Sequence, residues 1–173
     1  MRKLYERLWD DSNYRVYSPG EEALPIFHQL VHKKGTLVDI GCGTGRAGQA
    51  LAERGFEVTL MDFASNAPEV DLPFRRGSIF GRWPGDYDYG YCCDVMEHLE
   101  PDRVERALKA IFRHCRKVFF TIHFGPDNFG ETVGHPLHLT QQCFVWWRDL
   151  ISRHARLYNA RDLIGMGSFY AGW

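Results

Sequence analysis

Residues 36–45 read TLVDIGCGTG, from Thr36 to Gly45. Leu37, Val38 and Ile40 form a short apolar run that predicts a buried strand, and the glycines at 41, 43 and 45 end it abruptly. Without a Cβ, Gly41 and Gly43 let the backbone take positive φ and let a ligand approach its N–H groups. Residues 46–54 (RAGQALAER) then predict a helix whose free amides face the same crevice. Asp39, one residue before the end of the strand, adds a carboxylate at the rim.

Two nucleoside cofactors compete for this turn. From Gly43 the letters GTGRAG satisfy G-x-G-x-x-G, the dinucleotide fingerprint in which a pyrophosphate sits on a helix N-terminus. The match is displaced, because counting from the strand-ending Gly41 puts Arg46 where the third glycine or alanine belongs. A dehydrogenase also needs a second mononucleotide half, for which 173 residues leave little space. Asp62 ends the next apolar run about 20 positions after the glycine turn, where an acidic side chain accepts hydrogen bonds from ribose hydroxyls. Both cofactors use such a residue, and Phe63 beside it is placed to flank an adenine.

The string VDIGCGTG, Val38 to Gly45, resembles motif I of the class I S-adenosylmethionine-dependent methyltransferases. CCDVMEHL, Cys92 to Leu99, is similar to the post-strand motif of the same family. The resemblance implies a Rossmann-like α/β fold, a doubly wound, mostly parallel seven-stranded sheet closed by an antiparallel C-terminal hairpin. It implies S-adenosyl-L-methionine as cofactor, with its methionine and ribose part against Asp39, Gly41, Cys42 and Gly43 and its methionine side facing Asp94. Ser78 and Ile79 then meet the adenine, although many relatives carry Asp where Ser78 stands. It further implies that the N-terminal helical segment, residues 1–35, folds over the cofactor and brings Tyr14, Arg15 and Tyr17 to it. Arg15 would pair with the cofactor carboxylate, and a tyrosine face would attract the sulfonium. The chain also resembles small methyltransferase-domain proteins encoded by bacteriophages, through SPGE, the glycine turn, DVMEHL and GHPLHLT followed by tryptophans.

Composition is that of an ordinary globular domain, with 45% hydrophobic and 25% charged residues, so the chain reads as a single domain over 1–173. A formal net charge of -1 supplies no global field toward nucleic acid or a membrane surface, so a nucleic-acid partner lacks electrostatic support. The five cysteines show no C-x-x-C spacing, and the first residues, MRKLYERLWDD, contain no apolar signal segment. The expected compartment is therefore the cytoplasm, with no membrane span.

Along the chain, residues 2–9 predict an amphipathic helix and 10–17 an irregular stretch. Ser18, Pro19 and Glu21 form a capping-box start for a helix that buries Ala23, Ile26, Phe27, Leu30 and Val31. Strands are expected at 56–61, 74–80, 87–94 and 117–124. Residues 101–115 carry the clearest helical period, Val104, Ala107, Leu108, Ile111, Phe112 and Cys115, opposite a basic stripe that reads as a solvated face. Thr140 is expected to cap a last helix over 141–154, and 156–160 with 168–173 to form the closing hairpin.

Residues 125–139 read as an active-site loop. Methyl transfer chiefly needs orientation, and a base only where the acceptor holds its proton, for which a histidine is the natural group. His135 or His138 is expected to face the acceptor, with His123 third; the alternative is that loop histidines only bond the backbone. His123, Asp127, His135 and His138 follow no zinc spacing, so no metal is expected. G-x-S-x-G and G-x-x-x-x-G-K-[ST] are both absent, as is an N-P-P-Y-like amino-methylation motif. The expected activity is methyl transfer to a small molecule or nucleotide, the alternatives being a non-catalytic S-adenosylmethionine-binding module or an NAD-binding Rossmann protein.

Overall fold

The computed structural model describes residues 2–16, 18–127 and 129–173. Tyr17 lies outside the described residues, and with it the expectation that it reaches the cofactor. In chain order the elements are α1 (Arg2–Asp10), α2 (Ser12–Arg15), a 3₁₀ turn (Glu21–Ala23), α3 (Leu24–Leu30), β1 (Thr36–Ile40), α4 (Arg46–Glu53), β2 (Glu57–Asp62), β3 (Phe74–Arg76) and β4 (Tyr87–Cys93). A second 3₁₀ turn (Met96–His98) precedes α5 (Pro101–His114), β5 (Cys115–His123), α6 (Gly130–Val133), α7 (Phe144–Ser152), β6 (Arg156–Leu163) and β7 (Met166–Gly172).

The seven strands form one sheet in the order β3-β2-β1-β4-β5-β7-β6. Strands β1 to β5 pair parallel, with Val38 opposite Thr59 on one side and Gly90 on the other. β7 pairs antiparallel with both β5 and β6. This is the expected mostly parallel sheet with a closing hairpin. Because side chains alternate along β1, Val38 and Ile40 pack on the α5 and α7 side, while Leu37 packs with α3 and α4. Phe27 of α3 is fully buried, edge-on to Tyr91 and Phe119 at 5.2 and 5.6 Å. A third apolar cluster joins Tyr5, Leu8 and Trp9 of α1 to Ala64, Ala67 and Leu137. Among the described residues, no helix is long and apolar enough to cross a membrane.

Four local expectations are corrected. Residues 12–15 are helical, since Asp11 caps α2 by accepting from the Asn13 N–H at 2.8 Å. Ser18 does not cap a helix: its hydroxyl bonds to Thr44 Oγ1 at 2.6 Å, and Gly20 at φ 85° precedes the 3₁₀ turn instead. β3 stops at Arg76, so Ser78 and Ile79 lie on the connection beyond it. Thr140 is not the cap of α7, which starts at Phe144; Thr140 donates from Oγ1 to Leu99 O at 2.6 Å and from its N–H to Glu97 O at 2.9 Å.

Candidate active site

Asp62 organises the glycine turn. Its Oδ2 accepts from the Gly43 N–H at 3.1 Å and its Oδ1 from the Ala64 N–H at 2.8 Å. The Gly41 and Cys42 N–H groups both donate to Met61 O, at 2.7 and 3.2 Å. Three amides expected to face a ligand are therefore bonded to β2, and the turn is rigid before anything binds. Gly41 sits at φ 69°, and a Cβ there would fall 2.5 Å from Val95 Cγ2, so only glycine fits where the turn packs against Val95. Burial pushes the Asp62 carboxyl up to about 6 against three backbone N–H groups that favour its ionised form.

A cavity of ≈550 Å³ lies over the carboxyl ends of β1, β2 and β4. Gly41, Asp62, Phe63, Ser78 and Ile79 line one end, with Ile79 held by a Trp83 indole N–H that donates to its carbonyl at 3.0 Å. Tyr5, Trp9 and Tyr14 of the first two helices form the roof. Tyr14 stands edge-on to Trp9 at 4.7 Å and to Phe129 of the 125–139 loop at 5.1 Å, joining the two covers. Asp94, His98, His123 and His138 also line the cavity.

Five sequence-derived candidates do not line this cavity. Arg15 donates to Trp9 O at 2.9 Å and to Asn66 O at 3.0 Å and pairs with Glu69 at 2.9 Å, so it stitches α2 to the loop after β2. Asp39 turns toward α4, where the Gly48 N–H bonds one carboxylate oxygen; burial and then the Asp62 charge raise its pKa to about 8. Cys42 packs in the α3–α4 cluster. Gly43 touches the roof from below, since a Cβ there would meet the Trp9 ring at 2.8 Å. His135 is exposed, its Nδ1 donating to Pro136 O at 2.6 Å.

Two turns build this last part of the lining. Asp94 follows β4 at φ 54°, a left-handed conformation that non-glycine residues rarely take, and its Oδ1 lies 3.4 Å from His123 Nε2. Glu97 is fully buried; its Oε1 accepts from the His123 N–H at 2.8 Å. Burial and then the neighbouring Asp94 push the Glu97 carboxyl far above the usual range. His98 lies beneath α1, its Nδ1 2.7 Å from the Tyr5 hydroxyl and 3.1 Å from Leu137 O; burial lowers its pKa to about 3.

In the 125–139 loop, Asp127 collects the N–H groups of Phe129, Gly130, Leu137 and His138. Burial raises this carboxyl, but the N–H groups and the His138 ring outweigh it and hold its pKa below the ordinary value. The fold so imposed turns His138 inward, with Nδ1 donating to Gly125 O at 2.7 Å, and His135 outward. Sequence reasoning passed over Tyr5, Trp9, Glu97 and His98 as parts of the site. For Glu97 and His98 the signal lies in CCDVMEHL, where the sequence alone shows only an adjacent acid and imidazole.

The sheet order and a glycine turn held by an acidic β2 terminus define a class I S-adenosylmethionine-dependent methyltransferase. A family model described as a methyltransferase domain matches residues 8–167, and the chain belongs to that family, whose cofactor is S-adenosylmethionine. The chain is 30% identical over 108 residues to a ubiquinone biosynthesis O-methyltransferase of Bordetella parapertussis, which covers 54% of this chain and 45% of that protein. It thus spans about half the length of the curated relatives it matches. The fold is similar to that of the PH0226 protein from Pyrococcus horikoshii OT3, with a TM-score of 0.76 at 16% identity, covering 95% of this chain and 92% of that one. It is also similar to Burkholderia thailandensis 1,6-didemethyltoxoflavin-N1-methyltransferase, solved with 1,6-didemethyltoxoflavin and S-adenosylhomocysteine, with a TM-score of 0.71, 15% identity and coverage of 88% and 76%.

Proposed function

We propose that this protein transfers the methyl group of S-adenosylmethionine to a hydroxyl oxygen of a small, largely apolar molecule. The observation that carries the reading is that Asp62 and Gly41 line the same cavity as Asp94 and His123, whose side chains stand 3.4 Å apart. Asp62, Phe63 and Ile79 suit the nucleoside: a carboxylate for the ribose hydroxyls and apolar faces for the base. Gly41, which lines the same cavity, suits the chain that links sugar to sulfur. Bound S-adenosylmethionine would supply an electrophilic methyl on a sulfonium, a cation for which the aromatic lining of Tyr5, Trp9 and Tyr14 is suited.

His123 takes the acceptor's proton, and Asp94 orients the ring and stabilises the imidazolium that results. The bound cofactor would supply the methyl carbon to the acceptor oxygen, its carbon–sulfur bond breaking with the electron pair left on sulfur. Tyr14 and the 125–139 loop exclude water from the cavity. The names of the curated relatives, ubiquinone biosynthesis O-methyltransferases, favour an oxygen acceptor, and the net charge gives no reason to prefer nucleic acid. Unpaired cysteines, four of them buried, suit a reducing cytoplasm.

The test is to incubate the protein with S-adenosylmethionine and a panel of phenols, alcohols and nucleotides and to measure S-adenosylhomocysteine by mass spectrometry. Product is expected with hydroxylated aromatic acceptors. In His123→Gln turnover should fall about 10²–10⁴-fold, the usual worth of a positioned base, with cofactor affinity retained. Cofactor binding without product across the panel would favour the non-catalytic module.

A further inference from the structure

Glu97, His98 and His138 each bring one donor atom to within 4.8 Å of the other two; the two histidines line the cavity and Glu97 is buried behind them. The Glu97 side chain is fully buried, and its Oε2 has no hydrogen-bond partner among the described residues. A buried carboxyl oxygen left without a partner is costly, and a carboxyl group clustered with two imidazoles marks a place for a positive charge. The histidines are prepared for one. Since a carbonyl only accepts, the His138 proton sits on Nδ1 facing Gly125 O, which leaves the Nε2 lone pair free. For His98 the tautomer that satisfies Leu137 O likewise leaves Nε2 free. A ring nitrogen tied to a backbone carbonyl, with its opposite nitrogen free, is the arrangement that orients histidine ligands of metal ions.

We infer that Glu97, His98 and His138 form a binding site for a divalent transition-metal cation. Two imidazoles and one carboxylate form a donor set suited to zinc, cobalt or manganese, with at least one position open to the cavity. A second trio, Glu22, Asp94 and His123, also lies within 4.8 Å, but Glu22 is exposed and Asp94 already faces His123. The buried orphan oxygen selects the first set.

The role of the ion rests on the methyl-transfer reading, although the site itself does not. At the open position the ion would hold the acceptor oxygen and lower its pKa, so that the hydroxyl proton passes to His123 and the oxygen keeps the electron pair that attacks the methyl carbon. Acceptors with two adjacent hydroxyls, able to chelate, are the class such a site prefers.

The experiment is titration of chelator-treated full-length protein with Co²⁺, followed by visible absorption and calorimetry without cofactor. Saturation at one equivalent is expected. Binding should weaken at least about tenfold in both Glu97→Gln and His138→Ala, and stay unchanged in His32→Ala, which alters an exposed histidine that does not line the cavity. Circular dichroism confirms folding, and His138→Ala, on a loop, keeps the test valid if Glu97→Gln fails to fold. Absence of cobalt binding, or binding that survives His138→Ala, would overturn the inference. S-adenosylhomocysteine titrated into the same samples separates the two claims: nucleoside binding without cobalt binding removes the metal site alone.

Discussion

Asp62 spends its carboxylate on the Gly43 and Ala64 N–H groups, yet still faces the cavity with lone pairs to spare. With its pKa raised to about 6, protonation within a mildly acidic range weakens both the grip on the turn and the acceptor for a ribose. S-adenosylhomocysteine affinity should therefore fall below pH 6, by up to about tenfold per pH unit, and Asp62→Asn should bind more weakly with that dependence gone. Asp39 predicts a stability effect of known sign. A carboxyl near 3.8 unfolded and about 8 folded holds its proton more tightly when folded, so its contribution is full below pH 3.8 and is lost as pH rises through 8. Asp39→Asn should flatten the decline in Tm over that window, measured by thermal melts across pH. Asp62 was legible because backbone spacing after a glycine turn fixes where β2 ends. The orientation of the loop histidines was not, because Asp127 sets it through four amides that no spacing reveals.

At the scale of elements, the N-terminal helices act as a roof clamped by aromatic contacts and by the Arg15 fan of bonds. Gly43, at φ 51° and in contact with the Trp9 ring, is where turn and roof meet. Gly43→Ala should cost about 1–3 kcal/mol in urea unfolding and weaken cofactor binding, because strain in the turn and displacement of Trp9 act together. Strands β1 and β2 and helix α5 were readable from apolar period alone, since each buries one continuous face. The capping signals at Ser18 and Thr140 misled for one physical reason: both hydroxyls bond to partners distant in sequence, Thr44 and the Leu99 carbonyl, rather than to a local helix end. The adjacent Glu97 and His98 and the distant His138 likewise have no spacing signature; only the folded loop brings them together.

For the whole molecule, the sheet order reverses direction between β1 and β4, and the cavity opens at that switch point over the strands' carboxyl ends. Its floor depends on packing beneath the sheet. Phe27 lies among Tyr91, Phe119 and Phe56, and Phe27→Ala should cost about 3–5 kcal/mol by cavity formation, lowering Tm by roughly 6–20 °C. The family motifs made the sheet and its hairpin legible, whereas the acceptor end depends on loops whose course the sequence leaves open. The central claim is that the crevice between Gly41 and Asp62 receives the nucleoside of S-adenosylmethionine. Isothermal titration calorimetry of the folded protein with S-adenosylhomocysteine tests it most directly. One-site binding, weakened in Asp62→Asn, is the predicted result; no heat of binding from folded protein, or affinity unchanged in Asp62→Asn, would contradict it.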